Sequence, residues 1–138
     1  MSDGARLPDE LVDELVAAAR EVRRRAYAPY SDFAVGAAVL AGGTVFSGVN
    51  VENASYPLSV CAERNAVAAA VAAGESRLDA VAIAGSKAEP IAPCGGCRQV
   101  LREFGSVMLV VSEGLDGERA HWTLADLLPK AYGADRLR

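Results

Sequence analysis

Hydrophobic residues recur at helical spacing near the beginning of the chain, between positions 8 and 26. The apolar positions are Leu11, Leu15, Val16, Ala19, Val22 and Ala26. Pro8 suits the first position of a helix, and the acidic residues Asp9 and Glu10 follow it at the positive end of the helix dipole. The pattern predicts an amphipathic helix over residues 8–26.

The next segment contains two short runs of β-prone residues. Residues 28–31, Ala-Pro-Tyr-Ser, end the first helix because proline cannot continue it. Residues 35–40 and 44–49 have strand composition, and residues 41–43, Ala-Gly-Gly, supply a short connection between them. Together these features predict a β-hairpin.

Helical and strand patterns alternate in the remainder of the chain. Gly74 and Gly105 each follow a helical pattern and are typical helix stops. The predicted elements are a helix over residues 61–73, a strand over 80–84, a helix over 97–104, a strand over 107–111 and a short helix over 123–128. This order predicts an α/β fold, a three-layer α/β/α sandwich with a mixed sheet. We expect a single domain over residues 1–138.

The charge balance is mildly acidic, with 18 acidic and 14 basic residues and a formal net charge of −4. Such a balance argues against a nucleic-acid partner, which is held by phosphate neutralisation, and favours a small uncharged substrate. The chain has no apolar run near the ~20 residues that span a bilayer, and its beginning is charged rather than signal-like. We therefore expect a cytoplasmic protein without membrane association.

Three cysteines are the most informative residues of the chain. Cys94 and Cys97 have Cys-x-x-Cys spacing, and Cys61 stands at the predicted start of another helix. In a chain that is not secreted, this spacing indicates metal or redox chemistry before a disulfide framework. A catalytic zinc usually has three protein ligands and one open position, so the thiols predict a Zn²⁺ site. A structural zinc site would require a fourth ligand, but His121 is expected at the surface.

Two charged residues follow the first cysteine. Glu63 places a carboxylate near the predicted metal, where a proton shuttle typically contributes a factor of about a hundred to ten thousand. Three thiolates on one dication leave a net negative charge, so we expect a cation to donate hydrogen bonds to the ligand sulfurs. Arg64 is the first candidate for this role and Arg98 is the second.

The blocks Cys-Ala-Glu at residues 61–63 and Pro-Cys-Gly-Gly-Cys at residues 93–97 together resemble the zinc signature of the cytidine deaminase family. The first ligand in that family is His or Cys, and here it is Cys61. The resemblance implies hydrolytic deamination of cytidine and 2′-deoxycytidine to the uridine products, in pyrimidine salvage. It also implies that Glu63 is the catalytic proton shuttle.

Two further stretches resemble substrate motifs of this family. Residues 30–38 are similar to its Y-S-x-F-x-V-G-A motif, and residues 50–57 are similar to its N-x-E-N-A-x-Y-P motif. The residues that this resemblance assigns to the substrate are Phe33 for the pyrimidine, Asn50 and Glu52 for the sugar hydroxyls, and Ala62 for backbone contacts to the base. By residue type alone, Phe33 would be expected in the core, and Asn50 and Glu52 would be expected to stabilise a loop or turn. The assignment to the substrate therefore depends on the motifs.

The resemblance also implies an assembly. Small members of the family are homotetramers whose active sites borrow residues from neighbouring subunits. Tyr56 resembles a family position at subunit contacts, and Tyr132 stands where the family usually has a phenylalanine that covers the base. We therefore expect a homotetramer with shared active sites.

Three alternative functions would use the same zinc ligands. A deaminase of a cytosine-containing antibiotic such as blasticidin S shares the zinc chemistry but typically lacks the N-x-E-N-A motif, so Glu52 favours a nucleoside. A polynucleotide-editing deaminase needs a basic surface, which an acidic chain does not clearly offer. A structural zinc module would bind the same thiols but would give Glu63 no catalytic task.

Overall fold

The structure is a computed structural model that describes residues 6–137. The ends of the predicted domain, residues 1–5 and 138, lie outside the described residues. The strands are β1 (Gly36–Ala41), β2 (Thr44–Val49), β3 (Ala80–Ala84), β4 (Leu109–Glu113) and β5 (Arg119–Thr123). The helices are α1 (Asp9–Val22), α2 (Ala62–Ala72), α3 (Gly95–Arg102) and α4 (Leu124–Leu127). Short 3₁₀ turns cover Arg23–Arg25, Tyr56–Leu58 and Ala134–Leu137.

The five strands form one sheet in the order β2-β1-β3-β4-β5. Strand β1 runs antiparallel to β2 and β3, β3 runs parallel to β4, and β4 runs antiparallel to β5. A parallel pair requires a crossover connection, and α3 lies in the connection between β3 and β4. The predicted hairpin and the mixed sheet are therefore confirmed.

The central strands are buried along their whole length, and their alternating side chains supply two hydrophobic cores. In β3, Val81 and Ile83 belong to the core beneath α2 and α3, while Ala80 and Ala82 belong to the core beneath α1. Helices thus cover both faces of the sheet, which confirms the three-layer α/β/α sandwich. Of the helices within residues 6–137, none has both the length and the apolar character that a membrane span requires.

The element boundaries differ from the prediction by several residues. Helix α1 ends at Val22 and a 3₁₀ turn replaces its predicted last turn, while α3 begins at Gly95, two residues earlier than predicted. Strand β4 is displaced to Leu109–Glu113 because its polar end is buried with partners. The Ser112 hydroxyl accepts a hydrogen bond from a backbone N–H, and two arginines pair with the Glu113 carboxylate.

Strand β5 was not predicted from the sequence. Its residues, Arg-Ala-His-Trp-Thr, lack the apolar run that marks a buried strand, because it is an edge strand with one paired neighbour. Trp122 packs against the core, whereas His121 is exposed, as expected for a surface histidine. Backbone pairing with β4 therefore determines this strand more than its side chains do.

Candidate active site

The first turn of α2 lies directly on β2 because residue 48 is glycine. A Cβ atom at Gly48 would lie only 2.3 Å from the backbone nitrogen of Ala66. The side-chain amide of Asn65 donates a 2.7 Å hydrogen bond to the carbonyl oxygen of Val49, next to this contact. These interactions fix the end of α2 that follows Cys61.

Three cysteine sulfurs meet where α2 and α3 begin. Cys61 and Cys94 are the N-cap residues of the two helices, and Cys97 is buried in the first turn of α3. The three Sγ atoms lie within 4.8 Å of one another, and those of Cys61 and Cys94 are 3.9 Å apart. Two thiolates of a tetrahedral zinc site are about 3.8 Å apart when each Zn–S bond is about 2.3 Å long. The cluster therefore has the donor set and spacing that zinc requires.

The cluster provides three protein ligands. Within residues 6–137 it is the only group of three or more His, Cys, Asp or Glu side chains placed close enough to hold a metal ion. His121, on β5, is not among its members. Three ligands with one position left for a small molecule are the arrangement of catalytic rather than structural zinc sites.

The thiols of the cluster differ in acidity. The pKa of the Cys61 thiol is lowered to about 5, first by hydrogen bonding with Cys97 and then by the Arg64 guanidinium, while burial opposes the shift. The same hydrogen bond, together with burial, raises the pKa of Cys97. Cys61 is therefore the more acidic of these two thiols, and metal binding favours the thiolate form of its cysteine ligands.

Two arginines near the cluster have different partners. The Arg64 Nη2 atom donates a 3.4 Å hydrogen bond to the Cys61 sulfur. Its Nε atom is buried and has no hydrogen-bond partner among residues 6–137. Arg98, the second candidate for charge compensation, donates instead to the carbonyl oxygens of Pro93 and Leu127. Of the two, Arg64 has the geometry for withdrawing charge from a ligand sulfur.

Glu63 lies in the first turn of α2, and only 5% of its surface is exposed. Burial is the main cause that raises the pKa of its carboxyl group, and the negative charge of Cys61 acts in the same direction. Backbone hydrogen bonding and the charge of Arg64 oppose the shift, and a bound dication would oppose it further. A carboxyl group under such opposing influences can accept and release a proton.

A pocket of about 320 Å³ opens beside the cluster. Its lining includes the predicted residues Phe33, Asn50, Cys61, Ala62, Glu63 and Cys94. The fold thus brings both zinc blocks and parts of both substrate motifs to one cavity. Pockets for small molecules begin at about 300 Å³, so this cavity has the size for one small ligand.

Asn50 shapes one wall of this pocket. Its side-chain oxygen accepts a 2.8 Å hydrogen bond from the backbone N–H of Val35, and its amide nitrogen donates a 2.8 Å hydrogen bond to the carbonyl oxygen of Phe33. These two bonds tie the segment just before β1 to Asn50, the residue that follows β2. They hold the Phe33 ring at the pocket.

Two predicted substrate residues lie outside this pocket. Glu52 lines a second pocket of about 370 Å³, where its carboxylate accepts hydrogen bonds from the backbone N–H groups of Tyr30 and Ser31 and from the Ser31 hydroxyl. The Ser31 hydroxyl is the main cause that lowers the pKa of Glu52. Tyr132 is exposed, and its carbonyl oxygen accepts a hydrogen bond from Gln99. Neither side chain contributes to the pocket beside the cysteines.

The loop that precedes α3 forms a wall of the pocket that the sequence analysis did not identify. Lys87 and Ile91 line the cavity, and the Lys87 Nζ atom lies 5.7 Å from the centroid of the Phe33 ring. The backbone N–H of Ile91 donates a 3.0 Å hydrogen bond to the hydroxyl of Ser112 on β4. This loop has no motif of its own, and its position just before the Cys-x-x-Cys block was the only available signal.

A family profile described as "Cytidine and deoxycytidylate deaminase zinc-binding region" matches residues 9–113. The match covers most of the chain and includes all three cysteines and Glu63. The chain belongs to the cytidine and deoxycytidylate deaminase family. Membership of a zinc-binding deaminase family agrees with the donor set of the cluster, so the protein is an enzyme of this family with Zn²⁺ as its cofactor.

Individual members of the family match the chain over nearly its whole length. The cytidine deaminase of Sporosarcina psychrophila is 42% identical over 128 residues, covering 91% of this chain and 94% of that protein. The cytidine deaminase of Mycobacterium tuberculosis is 43% identical over 132 residues, covering 95% and 96%. The crystal structure of cytidine deaminase from Burkholderia pseudomallei has a TM-score of 0.84 and 48% identity, covering 87% of this chain and 98% of that one. The likeness to this crystal structure confirms the fold class.

Proposed function

We propose that the protein is a zinc-dependent cytidine deaminase that hydrolyses cytidine and 2′-deoxycytidine to uridine and 2′-deoxyuridine and releases ammonia. The observation that carries the proposal is the buried carboxyl group of Glu63, which shares a pocket of small-molecule size with two cysteines of the three-thiol cluster. Relatives between 42% and 48% identical that are named cytidine deaminases support this substrate over a cytosine-containing antibiotic.

The chemistry divides between the metal ligands and the carboxylate. Cys61, Cys94 and Cys97 would hold zinc as thiolates, and the metal would lower the pKa of a water molecule at the site so that this water could act as a nucleophile at neutral pH. Glu63 accepts one proton from the attacking water and delivers it to ring nitrogen N3, next to the carbon that bears the amine. It then carries the second proton to the amine, which departs as ammonia and leaves the C4 carbonyl of uridine.

The base and the sugar are proposed to contact different groups, and one of these groups, Glu52, lies in the second pocket rather than in the pocket beside the cysteines. The pyrimidine packs against Phe33 and meets the backbone of Ala62, while Asn50 and Glu52 bind the sugar hydroxyls. A neutral sugar is best recognised by directional polar groups that would be left unpaired by the wrong ligand. Asn50 uses one lone pair and one amide hydrogen within the protein, so one of each remains for a hydroxyl group.

The working form of the enzyme is proposed to be a homotetramer. Large apolar side chains are exposed around the second pocket and on the neighbouring segments, including Tyr27, Tyr30, Tyr56 and Leu58 at 51–73% exposure. Exposed apolar patches of this kind mark protein interfaces. In the assembly, Tyr132 of one subunit would cover the base bound by another. Sedimentation should give four times the chain mass, and a fully active monomer would contradict the assignment.

The proposed cellular location and metabolic role follow from the chemistry of the enzyme. Three thiols that must stay reduced to bind zinc suit the cytoplasm, and release of uridine from cytidine suits pyrimidine salvage. We assign the catalytic function to a single domain over residues 1–138, because both cores are built on one sheet. The expected ligand is a nucleoside, without nucleic-acid or membrane partners.

A decisive experiment follows the ultraviolet absorbance of cytidine incubated with zinc-loaded enzyme. Wild type should convert the substrate, and Glu63→Gln should lower kcat by a factor of about a hundred to ten thousand while retaining zinc, because it loses the proton carrier. Glu103→Gln, an exposed site at the end of α3, is the matched control and should keep wild-type activity. A zinc-loaded wild type that leaves cytidine unchanged would refute the proposal.

A further inference from the structure

Packing contributes little to the position of the ligand Cys94. Cys94, Gly95 and Gly96 are all exposed, and a Cβ atom added at either glycine would meet nothing within 4 Å. Glycine also leaves the backbone freer than any other residue. Packing anchors only the buried residues on either side, Pro93 and Cys97, so hydrogen bonds are the local interactions that direct the exposed Cys94.

Arg98 contacts both peptide groups that flank Cys94. Its backbone N–H donates a 3.0 Å hydrogen bond to the carbonyl oxygen of Cys94. Its side-chain Nε atom donates a 2.8 Å hydrogen bond to the carbonyl oxygen of Pro93. Because each peptide group is planar, fixing both groups also fixes the two backbone dihedrals between them and thus the direction of the Cα–Cβ bond of Cys94.

The same guanidinium group reaches the C-terminal part of the chain. Its Nη1 atom donates a 3.0 Å hydrogen bond to the carbonyl oxygen of Leu127, the last residue of α4. The adjacent residue, Gln99, donates a 2.9 Å hydrogen bond to the carbonyl oxygen of Tyr132. Two neighbouring side chains of α3 thus anchor the segment that carries Tyr132 to the helix that carries Cys94 and Cys97.

We propose that Arg98 is a positioning residue that orients the Cys94 ligand and ties the C-terminal segment to the metal site. An arginine suits this task because its planar fork presents several donors in fixed directions, whereas lysine presents a single flexible ammonium group. The effect of Arg98 on turnover rests on the proposed function. Its effect on metal binding does not depend on the identity of the substrate.

The test replaces Arg98 with Met, which removes the side-chain donors and keeps most of the apolar stem. The dissociation constant for zinc should rise about 10- to 100-fold, the usual cost of losing a group that orients a metal ligand. Competition with a chromogenic chelator, well below the unfolding temperature, measures this constant. Arg98→Lys should recover part of the affinity, because its ammonium can reach one carbonyl at a time.

Gln99→Ala is the matched control because it releases only the C-terminal segment. It should retain wild-type zinc affinity and kcat and raise KM for cytidine, whereas Arg98→Met should lower kcat as well. A purely structural role for Arg98 would reduce the melting temperature and leave the zinc affinity of the folded protein unchanged.

Unchanged zinc affinity in folded Arg98→Met would overturn the proposal. If that variant does not fold, Arg98→Lys decides the question by the same titration, with wild-type affinity again counting against it. A wild type that binds zinc but does not convert cytidine would remove the proposed function and leave the zinc result interpretable.

Discussion

The two helices that carry the metal ligands are held at their N-termini in opposite ways. The beginning of α2 is buried, and its backbone touches β2 at Gly48. At the beginning of α3, Cys94, Gly95 and Gly96 are exposed although Pro93 and Cys97 on either side are buried, and hydrogen bonds from Arg98 hold the backbone around Cys94. A metal site can therefore combine a ligand placed by close packing with one placed by polar contacts. Disturbing the first should mainly reduce stability, and disturbing the second should mainly reduce metal affinity.

The largest effect should come from filling the contact between α2 and β2. Gly48→Ala places a methyl group against the α2 backbone, and overpacking of this kind costs about 1–3 kcal/mol in the free energy of unfolding. Denaturant unfolding of the zinc-loaded protein measures the change. Ser47→Ala, at the exposed neighbouring position, should stay within about 0.5 kcal/mol of wild type. Equal stability of the two variants would mean that this contact does not constrain α2.

A smaller effect, on zinc affinity, is expected from removing the positive charge of Arg64 in α2. Arg64→Gln removes the guanidinium that bonds to the Cys61 sulfur, so the zinc dissociation constant should rise about tenfold. Packing still positions Cys61, so the loss should not exceed that of Arg98→Met. Arg24→Gln, at an exposed arginine far from the cluster, is the control in the same chelator titration. A larger loss for Arg64→Gln than for Arg98→Met would reverse the comparison.

The smallest expected effect is an increase, rather than a decrease, in the free energy of unfolding. Gly96→Ala adds a methyl group in open space within α3, and the reduced freedom of the unfolded chain should stabilise the protein by about 0.5 kcal/mol. Zinc affinity should not change. A destabilised Gly96→Ala protein would show that the start of α3 is packed after all.

The sequence predicted the parts of the fold that depend on local patterns. The helices that begin after Cys61 and Cys94 were recognisable because apolar spacing, glycine stops and cysteine spacing all lie within short stretches. Strand β3 was predicted with its observed bounds, Ala80–Ala84, because a fully buried strand has a continuous apolar run. Local patterns therefore identified the candidate ligands, whereas joining Cys61 with Cys94, 33 residues away, depended on the ligand count of zinc and on the resemblance to the family's signature.

Features that depend on distant contacts were not predictable in the same way. Strand β5 exists because its backbone pairs with β4, and its polar residues give no independent signal. Lys87 and Ile91 reach the pocket because their loop rests on the end of β4 through Ser112. The hydrogen bonds of Glu52 with Ser31 join residues 21 positions apart. In each case the chain must fold before the relevant neighbours meet.

The distance along the chain between Cys61 and Cys94, 33 residues, has a thermodynamic consequence. A site assembled from separate helices exists only in the folded state, so zinc binds that state in preference to the unfolded chain. By mass action, each tenfold increase of free zinc above its dissociation constant then adds about 1.4 kcal/mol to stability. The fraction of this protein that stays folded under stress is thus linked to the supply of free zinc around it.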